Sequence, residues 1–273
     1  MFKYENLLFV GCGNIANAVI SGLVNSNSVP AKAITAYDID ASKFDSVRKL
    51  GINVTSELAS AARNADCIFL AVKPGIVKSV MQDLSNIDGA LDNALIVSFA
   101  AAVTIDHIVS SCERNIPVIR TMPSTPIFVG EGVLAVSKNE YVGSKQFETF
   151  CRMMSSVAYV AIVDEDQMNP IISVHGSSPA YVYLFIKSML DAAEDQGIQR
   201  KVALPLILKT IKGSVKMVEK SQDSIETLIN NVASPNGTTL AALNSFNNDG
   251  FENAVHNAMN ACTKRANEIS QEL

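Results

Sequence analysis

The sequence predicts an α/β protein in two parts, a parallel sheet covered by helices and then an all-helical region. Residues 1–165 alternate short apolar runs with helical patterns, as repeated β-α units with buried strands do. After about Asp166 no further strand-like run occurs, and long helical patterns follow one another. We therefore expect one domain at residues 1–165 and a second, all-helical domain at residues 166–273.

Seven apolar runs define the expected sheet, and helical patterns lie between most of them. The strand-like runs are Asn6–Val10, Ala33–Tyr37, Cys67–Ala71, Leu95–Phe99, Pro117–Thr121, Gly132–Ser137 and Tyr159–Val163. The helical patterns are Asn14–Asn25, Ala41–Leu50, Ile76–Leu84, Ile105–Cys112 and Ser144–Ser155.

The second half begins with a clear helix start at Ser178-Pro179, where serine can cap the helix and proline suits its first turn. This helix is expected to end at Gly197. Further helices are expected at about Lys201–Lys220, Ile225–Val232, Thr238–Asn247 and Phe251–Glu272.

Two of these helical segments, Ala180–Ala193 and Val202–Ile211, are apolar on most sides. A helix of that kind has to be buried on most sides. A domain of 108 residues cannot hide both segments alone, which favours a subunit interface and at least a homodimer. A tightly folded monomeric bundle is the alternative.

Composition excludes several classes of function. The net charge of −5 argues against broad contact with nucleic acid or an anionic membrane. The sequence has no apolar run long enough to span a bilayer and no secretory layout at its start, so we expect a soluble, cytoplasmic protein. Five scattered cysteines without a Cys-x-x-Cys pair indicate reduced thiols, and three distant histidines predict no metal site.

A glycine-rich turn follows the first strand-like run. It reads Gly11-Cys12-Gly13-Asn14-Ile15-Ala16 and opens the first helical pattern. In a dinucleotide site, Gly11 would allow the tight turn, Gly13 the approach of the pyrophosphate, and Ala16 close packing of helix and strand. Free amides at the helix start would face the anion. An ordinary tight turn is the alternative.

Two later strand ends extend this expected nucleotide site. Asp38 lies 22 residues after Ala16, close to the spacing of an acid that binds the adenosine ribose. A carboxylate there would favour NAD over NADP, unless Asp38 or Asp40 only caps the next helix. Ala71-Val72-Lys73-Pro74 leaves another strand at the edge where ligands bind, although Lys73 could equally be a solvated surface lysine.

The segment Arg120-Thr121-Met122-Pro123-Ser124-Thr125-Pro126 also ends a strand, and its two prolines make it stiff. Such a segment can line a crevice and hold nicotinamide or substrate, with Met122 and Ser124 as candidates for cofactor contact. A rigid structural turn is the alternative. Arg120 itself could be a buried structural cation.

Two hydroxyl-rich loops in the second half precede helices. In His175-Gly176-Ser177-Ser178-Pro179, Ser177 is the candidate for a ligand contact, while His175 is either an acid or structural. In Ser234-Pro235-Asn236-Gly237-Thr238-Thr239, the amides and hydroxyls of the last three residues could receive a small carboxylate. Ordinary N-capping by Thr238 is the alternative.

Taken in order, these motifs resemble pyrroline-5-carboxylate reductase, and the resemblance spans nearly the whole chain. It rests on the segments Gly11–Ala16, Ala71–Pro74, Arg120–Pro126, Gly176–Tyr181, Asp191–Ala193 with Gly197, and Ser234–Thr239. It implies a Rossmann domain, an all-helical dimerisation domain, assembly of dimers up to decamers, and reduction of 1-pyrroline-5-carboxylate to L-proline by NADPH or NADH.

The resemblance also implies site residues. Thr239 matches the threonine proposed as acid or imine-orienting group, while Ser177, Gly237, Thr238 and Thr239 would bind substrate. Three positions depart from the usual family motifs: Ser124 replaces asparagine, Asn236 replaces glycine, and Ser178 replaces a glycine that varies within the family. Serine lacks the two-sided bonding of an amide, whereas asparagine tolerates the positive φ of such a loop.

Two other functions stay open at this point. The chain could reduce a small keto acid, as the related β-hydroxyacid dehydrogenases do with a lysine in a long helix, and Lys187 lies in such a helix. It could also be a non-enzymatic module that senses the redox state of a dinucleotide. Two hydroxyl-rich helix starts argue against a pure scaffold.

Overall fold

The computed structural model describes residues 4–273, and these form two compact units. The first unit holds all eight strands of one sheet. The strands are β1 (Leu7–Val10), β2 (Ile34–Tyr37), β3 (Asn53–Thr55), β4 (Cys67–Leu70), β5 (Leu95–Ser98), β6 (Val118–Pro123), β7 (Val133–Lys138) and β8 (Tyr159–Ile162). Their order is β3-β2-β1-β4-β5-β6-β7-β8. All neighbours are parallel except β6 and β7, which form an antiparallel pair.

The central strands are buried along their whole length because helices cover both faces of the sheet. Strands β1, β4 and β5 have no exposed residue. Phe9 and Phe69 stand opposite each other in register on one face and stack with ring centroids 4.3 Å apart. Leu8 pairs with Ile68 on the other face. The predicted α/β class, with a sheet covered on both faces, is therefore confirmed, and the sheet is parallel except at the β6–β7 pair.

Six helices accompany the sheet in the first unit. They are α1 (Asn14–Asn25), α2 (Phe44–Arg48), α3 (Leu58–Ala62), α4 (Val77–Ser85), α5 (Ile105–Cys112) and α6 (Ser144–Met154). The predicted helix over 41–50 is divided into a 3₁₀ turn, Ala41–Lys43, and α2. The sequence analysis missed β3 and α3, since elements of three and five residues carry too little periodicity to stand out.

The helical half follows the prediction closely. It contains α7 (Ser178–Asp195), α8 (Arg200–Lys220), α9 (Ile225–Val232), α10 (Thr238–Asn248) and α11 (Phe251–Glu272). No helix within residues 4–273 is long and apolar enough to cross a membrane.

The second compact unit covers Ser178–Ala261, while Cys262–Leu273 belongs to the first unit together with residues 4–177. The end of α11 is anchored there by Asn169, whose Nδ2 donates to Asn267 Oδ1 (2.9 Å) and to Ser270 Oγ (3.0 Å). The division into domains at 1–165 and 166–273 stays a prediction about domain organisation.

The second unit leaves many large apolar side chains exposed. Within it, α7 packs against α8, yet Ala203 and Ile207 are the only buried residues of α8. The exposed set includes Val182, Tyr183, Leu184, Phe185, Val202, Leu206, Val215, Met217, Ile225, Ile229, Val232, Phe246 and Val255. So much apolar surface on one unit is typical of an interaction site.

Candidate active site

The glycine turn after β1 is shaped by a close approach to the end of β4. Gly11 has φ +103°, a conformation that side chains rarely adopt. A Cβ at this position would lie 2.6 Å from the carbonyl oxygen of Ala71 and 3.2 Å from Cγ1 of Val72. Position 11 therefore needs glycine both for its positive φ and for the lack of space beside Ala71. The structure thus brings together the glycine-rich turn and the Ala71–Pro74 motif, which were predicted to share a site.

Gly13 marks an open approach to the start of α1. It is exposed, and a Cβ built on it would meet no atom within 4 Å. Gly13 is the N-cap of α1, no side chain caps the helix there, and its first turn contains no acidic residue. The free N–H groups and the positive end of the helix dipole suit an anion such as a pyrophosphate. Ala16, at 0% exposure, sits under the turn, while Asn14 is exposed and Ile15 half-buried.

Asp38 braces this turn from the end of β2. It is only 5% exposed, and its Oδ2 accepts a hydrogen bond from the Cys12 N–H at 2.9 Å. Its Oδ1 accepts from the Asp40 N–H at 2.9 Å, and Lys43 Nζ lies 3.3 and 3.4 Å from the two oxygens. The predicted ribose ligand is thus turned toward the protein. Of the two acids, Asp40 is the one that caps a turn, because its Oδ1 accepts from the Ser42 N–H.

Cys12 contributes a neutral thiol to the turn. Burial, and secondarily the charge of Asp38, raise the pKa of Cys12 to about 12. The thiol is therefore protonated at neutral pH and adds no negative charge beside a phosphate-binding turn.

Beyond β4, the chain bends into the 3₁₀ turn Pro74–Ile76. Lys73 is exposed at its N-cap, while Val72 and Pro74 are half-buried. Within residues 4–273 the side chain of Lys73 forms no ion pair, so its ammonium faces solvent at the ligand-binding edge of the sheet.

The segment along β6 and directly after it is held by buried polar contacts. Arg120 is 2% exposed, and its guanidinium donates to Glu165 Oε1 at 2.9 Å and to Asn169 Oδ1 at 2.6 Å. It is a structural cation, the alternative that the sequence had left open. Ser124 is also buried, and its hydroxyl accepts from the Val133 N–H at 2.9 Å across the β6–β7 hairpin.

A π-helical turn, Ile172–Gly176, packs on Met122 at the end of β6. His175 Nε2 donates to the Met122 carbonyl oxygen at 2.7 Å, because a carbonyl can only accept. A Cβ on Gly176 would lie 2.5 Å from Cε of the same methionine. π-Helical turns are rare in proteins overall, but those that occur are often found at functional sites.

The π-helical turn delivers Ser177 next to Cys262 of α11. The Cys262 thiol donates to Ser177 Oγ at 3.3 Å, and the Ser177 N–H closes the turn on the Ile172 carbonyl at 2.8 Å. Sequence reasoning missed both the turn and Cys262. No pattern in the sequence distinguishes a π-turn from the start of an α-helix, and Cys262 lies 85 residues away from Ser177.

The second hydroxyl-rich loop lies within the second unit. Asn236 adopts φ 60°, as its tolerance of that region predicted, and a Cβ on Gly237 would collide with the hydroxyl of Ser234. Gly237 is the N-cap of α10 and offers no side-chain cap, so the alternative of capping by Thr238 is wrong. Thr238 is exposed and Thr239 half-buried beside the free amides of this helix start.

Lys187 has a different environment from that of a dedicated proton donor. It is exposed on α7, and its Nζ donates to Asp191 Oδ2 at 2.6 Å. Asp191 also accepts from Arg200, which makes the group a surface ion network. Residues 4–273 include no cluster of three or more His, Cys, Asp or Glu side chains placed to hold a metal ion.

Comparison with known proteins identifies the family to which this chain is similar. Residues 165–269 match the family model for pyrroline-5-carboxylate reductase dimerisation, and residues 6–102 match the model for NADP oxidoreductase coenzyme F420-dependent. The chain is 34% identical to a pyrroline-5-carboxylate reductase of Escherichia coli, over 96% of this chain and 97% of that protein. It is 35% identical to the reductase of Pseudomonas aeruginosa, over 98% and 97% of the two chains.

A solved structure gives the same family as the sequence comparison. The crystal structure of a Plasmodium falciparum pyrroline carboxylate reductase with NADP bound superposes with a TM-score of 0.89, at 30% identity, over 97% of this chain and 98% of that one. Identity at this level along nearly the whole length, combined with the ordered motifs, shows that the chain belongs to the pyrroline-5-carboxylate reductase family.

Proposed function

We propose that this protein reduces 1-pyrroline-5-carboxylate to L-proline with NADPH or NADH, the last step of proline biosynthesis. The observation that carries the proposal is the Gly11–Gly13 turn, pressed against Ala71 and opening onto an uncapped helix start. Relatives named for this activity, and the relative with NADP bound, support it.

The residues present fit a dinucleotide. The amides of α1 behind Gly13 would hold the pyrophosphate, and the ends of β4 and β6, at Ala71–Pro74 and Met122, would border the rest of the cofactor. When bound, the nicotinamide ring supplies the hydride that the C=N carbon accepts. The protein contributes orientation and electrostatics.

The start of α10 is the proposed substrate cradle. Its free amides at Thr238 and Thr239 would receive the carboxylate of the ring acid, since a helix N-terminus favours an anion. The Gly237 N–H donates within the loop to the Ser234 carbonyl oxygen at 3.0 Å, so Gly237 would contribute the close approach of its backbone. The Thr239 hydroxyl would orient the ring nitrogen, which is protonated before or during reduction. A threonine hydroxyl is a poor acid at neutral pH, so solvent delivers the proton. We also propose Ser177, whose hydroxyl accepts a hydrogen bond from the Cys262 thiol, as a residue that binds substrate.

The test replaces Thr239 with valine, which keeps shape and removes the hydroxyl. Turnover of the imine should fall by about 10- to 100-fold, the effect of one or two orienting hydrogen bonds. Binding of NADPH, followed by its fluorescence, should stay within a factor of about two. Ser245→Ala, on the same helix and exposed, is the control. Unchanged turnover in the valine variant would remove Thr239 from the mechanism.

The two other hypotheses are tested in the same assay. Oxidation of NADPH by 2-keto or 3-keto acids, without activity on the imine, would favour the keto-acid reductase. Binding of dinucleotide with no substrate reduced would favour the sensing module. The solvated Lys187–Asp191 pair supports neither.

We further propose a cytoplasmic homodimer, assembled through the second unit and able to associate up to a decamer. The exposed apolar side chains of α7 and α8 and the match to a dimerisation model support the dimer. Light scattering at micromolar concentration should give at least twice the chain mass, and a stable monomer would contradict the proposal.

A further inference from the structure

We infer that Lys43 determines cofactor specificity by binding the 2′-phosphate of NADP(H), while the buried carboxylate of Asp38 does not bind the ribose and instead holds the Lys43 ammonium in place. The inference rests on the proposed dinucleotide function. It reverses the cofactor preference that the sequence favoured for Asp38.

The location follows from the sheet order. In sheets of this topology the adenosine ribose lies beyond the end of the second strand, where an acid binds the 2′-hydroxyl or a nearby cation accepts a 2′-phosphate. In this chain β2 ends at Tyr37, and Asp38, Asp40 and Lys43 are the first charged residues that follow, before α2.

Asp38 has no acceptor capacity left for a ribose. A carboxylate offers about four lone-pair directions. Two are taken by the N–H groups of Cys12 and Asp40, each at 2.9 Å, and Lys43 Nζ lies within 3.4 Å of both oxygens. With 5% of its surface exposed, Asp38 acts on the nucleotide only through the turn that it braces and the lysine that it holds.

The Lys43 ammonium has N–H donors that its contacts with Asp38 do not use, so it can bind a ligand. Its side chain is 47% exposed, and the contacts to Asp38 are long for charge-assisted hydrogen bonds. An ammonium has three N–H donors, and a single carboxylate at this distance does not use all of them. Because Asp38 fixes the ammonium at the end of β2, the remaining donor is available where a 2′-phosphate is expected.

Asp40 carries a negative charge that opposes the binding of a phosphate near Lys43. Hydrogen bonds from the Ser42 side chain and main chain lower the pKa of Asp40, so its exposed carboxylate stays ionised at neutral pH. A 2′-phosphate would feel both Lys43 and Asp40, which predicts opposite effects when each charge is removed. Asparagine at position 40 can still cap the turn.

The experiment measures binding without substrate. NADPH and NADH are titrated by fluorescence into the wild-type protein and into Lys43→Met, Lys43→Arg and Asp40→Asn. For Lys43→Met the Kd for NADPH should rise at least tenfold, while the Kd for NADH changes less than twofold. Lys43→Arg should restore NADPH binding, and Asp40→Asn should tighten NADPH selectively. Competition by 2′,5′-ADP, which lacks the nicotinamide, should follow the same pattern.

Several outcomes would overturn the inference. Equal changes in the two Kd values, or no change, would show that Lys43 does not recognise the 2′-phosphate. Loss of both dinucleotides in Lys43→Met with retention in Lys43→Arg would assign the lysine to bracing the turn through Asp38. If the wild-type protein binds neither dinucleotide, the proposed function fails as well, so the two failures are distinguishable.

Discussion

Replacing Gly11 with alanine tests whether the glycine turn is set by a close approach within the protein. The variant adds a Cβ at φ +103°, 2.6 Å from the Ala71 carbonyl oxygen and 2.9 Å from its carbon. Backbone strain of this kind costs about 1–3 kcal/mol. Overlap with main-chain atoms, which cannot rotate away, adds about 1–3 kcal/mol. We expect the free energy of unfolding to fall by about 2–6 kcal/mol.

Gly13→Ala is the matched comparison two residues along. Its φ is −72°, and no atom lies within 4 Å of the added methyl group. The loss of stability should be about 1 kcal/mol or less, the difference between glycine and alanine at an N-cap. The methyl group would, however, stand in front of the free amides of α1. Binding of both NADPH and NADH should weaken by about tenfold or more.

Urea unfolding and fluorescence titration of the two variants separate these effects. The reasoning predicts one variant that is unstable and one that is stable but binds dinucleotide poorly. A Gly11→Ala protein as stable as the wild type would refute the argument from close approach. Wild-type affinity in Gly13→Ala would refute the assignment of the pyrophosphate to this turn.

Two further predictions concern stability. Arg120→Met leaves Glu165 and Asn169 without their buried partner, so the free energy of unfolding in urea should fall by about 3 kcal/mol. Arg114→Met, which breaks an exposed ion pair with Asp92, is the control and should lower it by less than about 1 kcal/mol. Between pH 9 and 12 an unfolded thiol ionises while Cys12, with its pKa raised to about 12, stays protonated. Stability should therefore fall as pH rises, and the urea midpoint of Cys12→Ala should fall less steeply; equal slopes would contradict this assignment.

Much of the fold could be predicted because burial leaves a mark in the sequence. Strands β1, β4 and β5 are buried on both faces, so they appear as uninterrupted apolar runs. Helices α7, α8 and α11 have 18, 21 and 22 residues, and periodicity over that many residues is dependable. β3 and α3 were not predicted because each is too short to show a hydrophobic periodicity.

The candidate site was predictable in its parts and less so in its contacts. Gly11 and Ala71 were identified separately, and the structure shows why they belong together. The direction in which a side chain points was not predictable. Asp38 has the spacing of a ribose ligand, yet the nearby Cys12 amide and Lys43 draw its carboxylate inward. Spacing along the chain carries no information about such competing partners.

The nucleotide-binding body of this protein is discontinuous in sequence, because its last segment, Cys262–Leu273, comes after the whole of Ser178–Ala261. An N-terminal fragment ending at Ser177 would lack Asn267 and Ser270, leaving the Asn169 amide and the Ala102 carbonyl without their hydrogen-bond partners. The helical unit is thus an insertion attached at both ends to one body. Deletions or fusions that disturb the last turns of α11 would therefore alter the body that carries the glycine turn, although they lie some 250 residues away from it in sequence.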